Sequence, residues 1–223
     1  MAALKDILRM RPRILFVGIN PGLRSAELGH HFAGKGNPFW RLLYDARLVP
    51  DPITYRDDKK LPHYGIALTN LCARPTRSST ELRPDELKRG SKLLLRKIAR
   101  LQPRVVALVG LSIYRELFGK VGSKGAGLKP QKLFGASVFV LPNPSGRNAN
   151  FPSYADKLKW FVRLRELVES ECVASHDVTE FQTKKSVATD GRPLCAMHKK
   201  LVKLRSCANR ERGKRPLQVE TRE

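Results

Sequence analysis

RILFVGINPGLRSAELGHHFAGKGNPFW, residues 13–40, opens on a short apolar run and passes directly into a segment carrying Gly18, Gly22, Gly29, Gly34 and Gly36. Residues 14–17 are too few for a buried helix and show no polar alternation, so they read as a strand covered on both faces. Residues 65–68, 105–109 and 138–141 repeat that pattern between glycine or proline boundaries. Helical patterns at 38–44, 84–101 and 112–118 lie between the runs, and another spans 154–169. The clearest has Pro84 near its start, Asp85 and Glu86 in its first turn, and Leu87, Leu94, Ile98 and Leu101 along one face. This alternation predicts an α/β fold, a three-layer α/β/α sandwich around a short, mainly parallel four-stranded sheet. In such folds ligands bind beyond the carboxyl ends of the strands.

The chain has 223 residues and a formal net charge of +23, from 43 Lys and Arg against 20 Asp and Glu. That excess points to a polyanionic partner, nucleic acid first. Residues 172–223 hold 12 basic and 6 acidic residues, so +17 falls on residues 1–171 and the basic surface belongs to the folded part. Two regions are therefore expected: a domain over 1–171 and a basic tail over 172–223. The tail loses apolar periodicity and is expected to be disordered. No run of about 18 apolar residues marks a membrane span, and the N-terminal stretch MAALKDILRMRPRILFV offers too short a run for a signal-peptide core. An intracellular protein is expected. The four cysteines are irregularly spaced, which fits a reducing compartment better than a disulfide framework.

Two strand-end segments carry unusual chemistry. The first, residues 16–40, can bring backbone N–H groups close to a ligand and places Asn20 where the first strand opens into the crevice. The second, VLPNPSGRNANFP at 140–152, forms a tight loop with Arg147 at its tip. Either alone is ordinary turn chemistry. Together they sit at the same sheet edge in a strongly basic domain.

GINPG (18–22), GHHF (29–32), NPFW (37–40), TNLCARPT (69–76) and NPSGRN (143–148) resemble, in order, the motif set of the mismatch-specific uracil/thymine DNA glycosylases. The likeness runs from about residue 13 to 167 and leaves the tail out. It implies the uracil-DNA glycosylase-like form of the predicted fold. It also implies a monofunctional DNA-repair glycosylase, which flips uracil or thymine, notably from G·U and G·T mismatches, out of duplex DNA and hydrolyses the N-glycosidic bond. The target base cannot be reached within the stack, so such an enzyme must extrude it, hold it and fill the gap.

By this resemblance Asn20 is the catalytic residue, positioning a water at the anomeric carbon; an amide orients a nucleophile but is no strong base. The Ile19 N–H is implied as a donor to the base, Phe32 as the ring stacked on it, and Asn70 as a partner for its edge. Ser25 stands where residue size sets tolerance for the thymine methyl. His31, like Asn70 and Arg147, matches the thymine-type branch, whereas NPSG resembles the uracil-type one. Arg147 is implied as the wedge entering the vacated stack, with Asn143, Ser145 and Gly146 contacting the DNA backbone. The expected partner is double-stranded DNA with mismatched or damaged pyrimidines, bound by a monomer in the cytoplasm or nucleoid of a bacterium or the nucleus of a eukaryote.

No cofactor is expected. Cys172 with His176 and Cys195 with His198 form Cys/His pairs, but their segment lacks the apolar framework of a zinc module, and a single domain cysteine, Cys72, cannot hold an iron–sulfur cluster. Two other readings stay open: a non-catalytic binder of distorted DNA, which needs no water-positioning amide, and a Rossmann-like nucleotide enzyme, for which no GxGxxG or GxxxxGK[ST] follows the first strand.

Overall fold

A computed structural model of the chain describes residues 4–119, 125–145 and 153–185, with side chains through 172. The first strand, β1 (Ile14–Gly18), is buried at every residue. It pairs in parallel with β2 (Ile66–Asn70) on one side and β3 (Val105–Val109) on the other. β3 pairs in parallel with β5 (Ala136–Leu141), and β4 (Gly127–Leu133) closes the edge antiparallel to β5. The order is β2-β1-β3-β5-β4.

The layering follows from the side-chain period of two along β1. Ile14 and Phe16 enter one core, with Phe39, Leu42 and Leu43 of α2 (Phe39–Asp45) and Phe161, Leu164 and Val168 of α5 (Tyr154–Lys185). Leu15 and Val17 enter the other, with Leu94, Ile98 and Leu101 of α3 (Pro84–Leu101) and Ile113 and Tyr114 of α4 (Leu111–Phe118). Helices on both faces explain why the central strands read as unbroken apolar runs.

α3 forms as its sequence predicts. Pro84 sits in the first turn, the Glu86 carboxylate accepts from the Arg83 N–H at 2.9 Å, and Gln102 ends the helix in the left-handed region. Gly90 lets this helix close on the chain after β2: a Cβ there would overlap the Leu71 carbonyl oxygen. Alanine is the better helix former by about 1 kcal/mol, but a collision with backbone cannot be relieved by a rotamer change. Gly90→Ala is therefore expected to destabilise the fold by about 1–3 kcal/mol, read as a lower denaturant midpoint.

Four elements depart from expectation. The sheet has five strands rather than four, because β4 has the sequence GLKPQKL, with Gly, Pro and two Lys where apolar alternation was sought. An edge strand tolerates proline, and the buried Lys129 holds it by donating to the Gly125 carbonyl at 2.9 Å and lying 5.3 Å from the Tyr114 ring. The glycine-rich segment is not all loop: LRSAEL forms α1 (Leu23–Leu28), ended by Gly29 at φ 71°. A 3-10 helix, Tyr55–Tyr64, precedes β2 and is capped reciprocally by Thr54 and Asp57. Finally, α5 runs to Lys185 rather than stopping at 169, and no Gly or Pro occurs from 153 to 190 to end it. The chain divides into units Met1–His176 and Asp177–Glu223; residues 186–223, which hold most of the expected tail, lie outside the described residues.

Candidate active site

β1 and β2 stay joined after the sheet ends. Leu71 N–H donates to the Gly18 carbonyl and Cys72 N–H to the Ile19 carbonyl, each at 2.8 Å, and Thr76 N–H donates to the Pro21 carbonyl at 3.1 Å. The GINPG and TNLCARPT segments thus form one hydrogen-bonded platform at the carboxyl edge of the sheet. It borders a cavity of about 830 Å³, large enough for a nucleotide. Ile19, Asn20, Ser25, His31, Phe32, Asn70, Asn143 and Ser145 all line this cavity. The structure therefore gathers every described candidate residue at one place. Arg147 and Gly146 lie outside the described residues.

The orientation of the Asn20 amide is set by its partners. Its nitrogen lies 2.7 Å from Thr76 Oγ1, 3.0 Å from the Arg74 carbonyl oxygen and 3.2 Å from the Pro21 carbonyl oxygen. Carbonyls only accept, so the end facing them must be the NH₂. Thr76 Oγ1 in turn donates to the Ser78 carbonyl at 2.7 Å, which leaves it an acceptor toward Asn20. The amide oxygen is then the end that can accept from a water. The loop carrying these acceptors is anchored to α3: the Arg74 guanidinium grips Glu86 at 2.6 and 2.9 Å. Arg74 and the Arg83 N–H together hold the Glu86 carboxyl down to about 2.

Asn70, the last residue of β2, stands opposite Gly18 in register. A Cβ at Gly18 would overlap Asn70 Oδ1 and stand 3.8 Å from Phe32 Cζ. Glycine is thus what lets an amide and an aromatic ring close together over the strand end. Phe32 is stacked on Phe39 with centroids 3.8 Å apart and planes 18° apart, so one face is seated on the core while the ring is part of the cavity wall.

His31 is buried, and its Nε2 lies 3.0 Å from the Lys5 carbonyl oxygen, which makes that nitrogen the protonated one. Burial pushes the imidazolium pKa down and favours the neutral ring. Its side chain is thus held by the N-terminal segment rather than pointed at a ligand. Ser25 is also buried and accepts the Ala33 N–H at 3.0 Å. Asn143 Oδ1 accepts the Ser145 N–H at 3.0 Å, shaping the turn before the undescribed stretch 146–152.

Sequence reading missed Thr76, Ser112 and Asp58. Thr76 lay within a quoted motif but carried no sign that it faces Asn20. Ser112 lines the cavity from the start of α4. Asp58 is 1% exposed and hydrogen-bonds the backbone of His31, 27 residues away. Among the described residues no group of three or more His, Cys, Asp or Glu could hold a metal, and no helix is long and apolar enough to cross a membrane.

A sequence model of the uracil DNA glycosylase superfamily matches residues 6–167. The chain is 33% identical over 182 residues to the G/U mismatch-specific uracil DNA glycosylase of Schizosaccharomyces pombe, covering 78% of this chain and 56% of that protein. It thus spans little more than half the length of that curated relative. The solution NMR structure of a candidate uracil DNA glycosylase from Methanosarcina acetivorans superposes with a TM-score of 0.52 at 21% identity, over 74% of this chain and 97% of that one. That likeness is one of fold.

Proposed function

Since the chain belongs to the uracil DNA glycosylase superfamily, we propose that its sheet-edge cavity is the base pocket of a DNA-repair glycosylase. The enzyme flips uracil or thymine out of duplex DNA and hydrolyses the N-glycosidic bond. The observation that carries this is the Asn20 amide, whose nitrogen is held by Thr76 Oγ1 at 2.7 Å and the Arg74 carbonyl at 3.0 Å so that its oxygen is left for a water. A pure DNA-binding surface has no use for that arrangement.

In the proposed reaction the extruded pyrimidine stacks on the free face of Phe32, and the Asn70 amide and the Ile19 N–H bond its edge. Stacking of a base on an aromatic ring contributes about 1–3 kcal/mol. The C1′–N1 bond breaks with its electron pair passing to the base. Water held by the Asn20 oxygen adds to C1′ and gives up one proton to solvent, the departing pyrimidine anion takes one proton from solvent, and an abasic site and neutral free base remain. Asn20 takes up no proton. The rate then depends on fixed dipoles stabilising the departing anion and on the phosphates stabilising the positive sugar.

Ser25 and His31 form the wall beside Phe32, where the room available decides whether a thymine methyl is accepted. Arg147, with Gly146, fills the gap in the stack. Asn143 and Ser145 hold the adjacent phosphates. Residues 1–171 carry this activity; residues 172–223 add basic charge for DNA. No cofactor takes part, and the enzyme acts as a monomer where DNA is found. Because the Schizosaccharomyces pombe relative is named for G/U mismatches, uracil opposite guanine is the first substrate to try.

The test is an excision panel with G·U, G·T, A·U and single-stranded uracil, scored by alkaline cleavage of abasic sites. Excision fastest from G·U supports the proposal. Binding to all four with cleavage of none would instead identify a non-catalytic reader of distorted DNA.

A further inference from the structure

Phe32 has a φ of 50°, in the left-handed region. A bulky aromatic residue persists there only where its surroundings over-determine the backbone. Two side chains from other elements do so. On one flank the His31 N–H donates to Asp58 Oδ2 at 3.2 Å; on the other the Ala33 N–H donates to Ser25 Oγ at 3.0 Å. The Ala33 carbonyl is held as well, accepting from Arg24 Nε at 3.1 Å.

Asp58 is the unexpected member. It comes from the 3-10 helix Tyr55–Tyr64, outside both strand-end segments, and is 1% exposed. Its second oxygen lies 3.1 Å from His30 Nδ1. A carboxylate is not buried for packing, since burial disfavours it unless it is paired and hydrogen-bonded. Here Oδ2 accepts the His31 N–H, while Oδ1 stands beside His30 Nδ1 with no hydrogen bond between them; His30 and His31 are the two residues before Phe32. The consequence falls on the ring that rests on Phe39 and forms part of the cavity wall.

Resting on the function proposed above, we infer that Asp58 is a positioning residue of the base pocket: by anchoring the His30–His31 peptide, just ahead of the left-handed Phe32, it sets the plane in which Phe32 meets the extruded pyrimidine. Asp58 touches no substrate and acts only through Phe32. Without its carboxylate the buried His31 N–H loses its acceptor, the turn relaxes toward extended backbone, and the ring leaves its seat.

The experiment is a double-mutant cycle on the full chain. Asp58→Ala, Phe32→Ala and the double variant are compared in single-turnover excision of uracil from a G·U duplex, in affinity for undamaged duplex, and in thermal melting. Asp58→Ala is expected to slow excision about tenfold or more, to leave undamaged-duplex affinity unchanged, and to add nothing in the Phe32→Ala background. Asp58→Asn, which keeps an oxygen acceptor, restores most of the rate. Equal losses in both backgrounds, or normal excision by Asp58→Ala, would overturn the inference. Should Asp58→Ala not fold, Asp58→Ser, which stays polar but is too short to reach the His31 N–H, is run through the same cycle. A loss that vanishes without Phe32 supports the clamp, and an equal loss in both backgrounds overturns it. The unsubstituted chain separates the two claims: if it releases no uracil, the proposed function and the clamp fall together, whereas normal excision with an additive cycle removes the clamp alone.

Discussion

Asn20→Ala is expected to slow single-turnover excision of uracil from a G·U duplex by a factor of about 100 or more while leaving duplex affinity nearly unchanged. The side chain contacts no base in the proposed mechanism. It contributes only once a water must be aimed at C1′, so its removal raises the barrier without weakening the ground-state complex. The local network makes the expectation sharper, because the Arg74 carbonyl that accepts from Asn20 is anchored independently by the Arg74 to Glu86 pair at 2.6 Å. The loop should therefore stay in place when the amide is lost. Excision by Asn20→Ala within a few-fold of the unsubstituted chain would remove Asn20 from the mechanism. A parallel drop in duplex affinity would mean that it shapes the binding surface instead.

Phe39→Ala is expected to lower stability by about 3–5 kcal/mol, the largest effect of any single side chain considered. Phe39 is fully buried and meets Phe16 at 5.4 Å, Trp40 at 5.3 Å and Phe161 at 6.1 Å, all near-perpendicular, besides carrying Phe32 stacked at 3.8 Å. Truncation leaves a cavity between β1, α2 and α5 that such a close-packed cluster cannot collapse to fill. It also takes away the surface on which Phe32 rests, so folded protein at low temperature should excise uracil more slowly than its stability alone explains. Phe39→Leu should recover much of the stability. A loss below about 1 kcal/mol for Phe39→Ala, measured by chemical denaturation, would contradict this account of the core.

The central strands were readable because their chemistry is one-sided: residues such as Leu15, Phe16, Val106 and Ala107 are buried on whichever face they point to, and only a covered parallel sheet asks for that. β4 was not readable, because Lys129 is buried while Leu128 is exposed, the reverse of the pattern that marks a strand. α1 was hidden for a related reason: six residues between Gly22 and Gly29 are too few to show a helical period. In the candidate site, Asn20, Phe32 and Asn70 stood out through their motifs. What holds them did not, since the Asn20 to Thr76 bond spans 56 positions and the His31 to Asp58 bond spans 27. Contacts of that separation exist only once the sheet has brought β1 and β2 side by side. Ser25 could be placed near the pocket from its position between GINPG and GHHF, yet nothing in the sequence announces that its hydroxyl accepts from Ala33.

The claim that the cavity performs hydrolysis and not mere recognition is tested most directly by mixing the purified chain in excess with a G·U duplex labelled in its uracil. The products to count are free uracil and abasic sites. The account predicts one free uracil and one alkali-labile site per duplex consumed, with the strand unbroken before alkali. A tight G·U complex from which no uracil is released would contradict it.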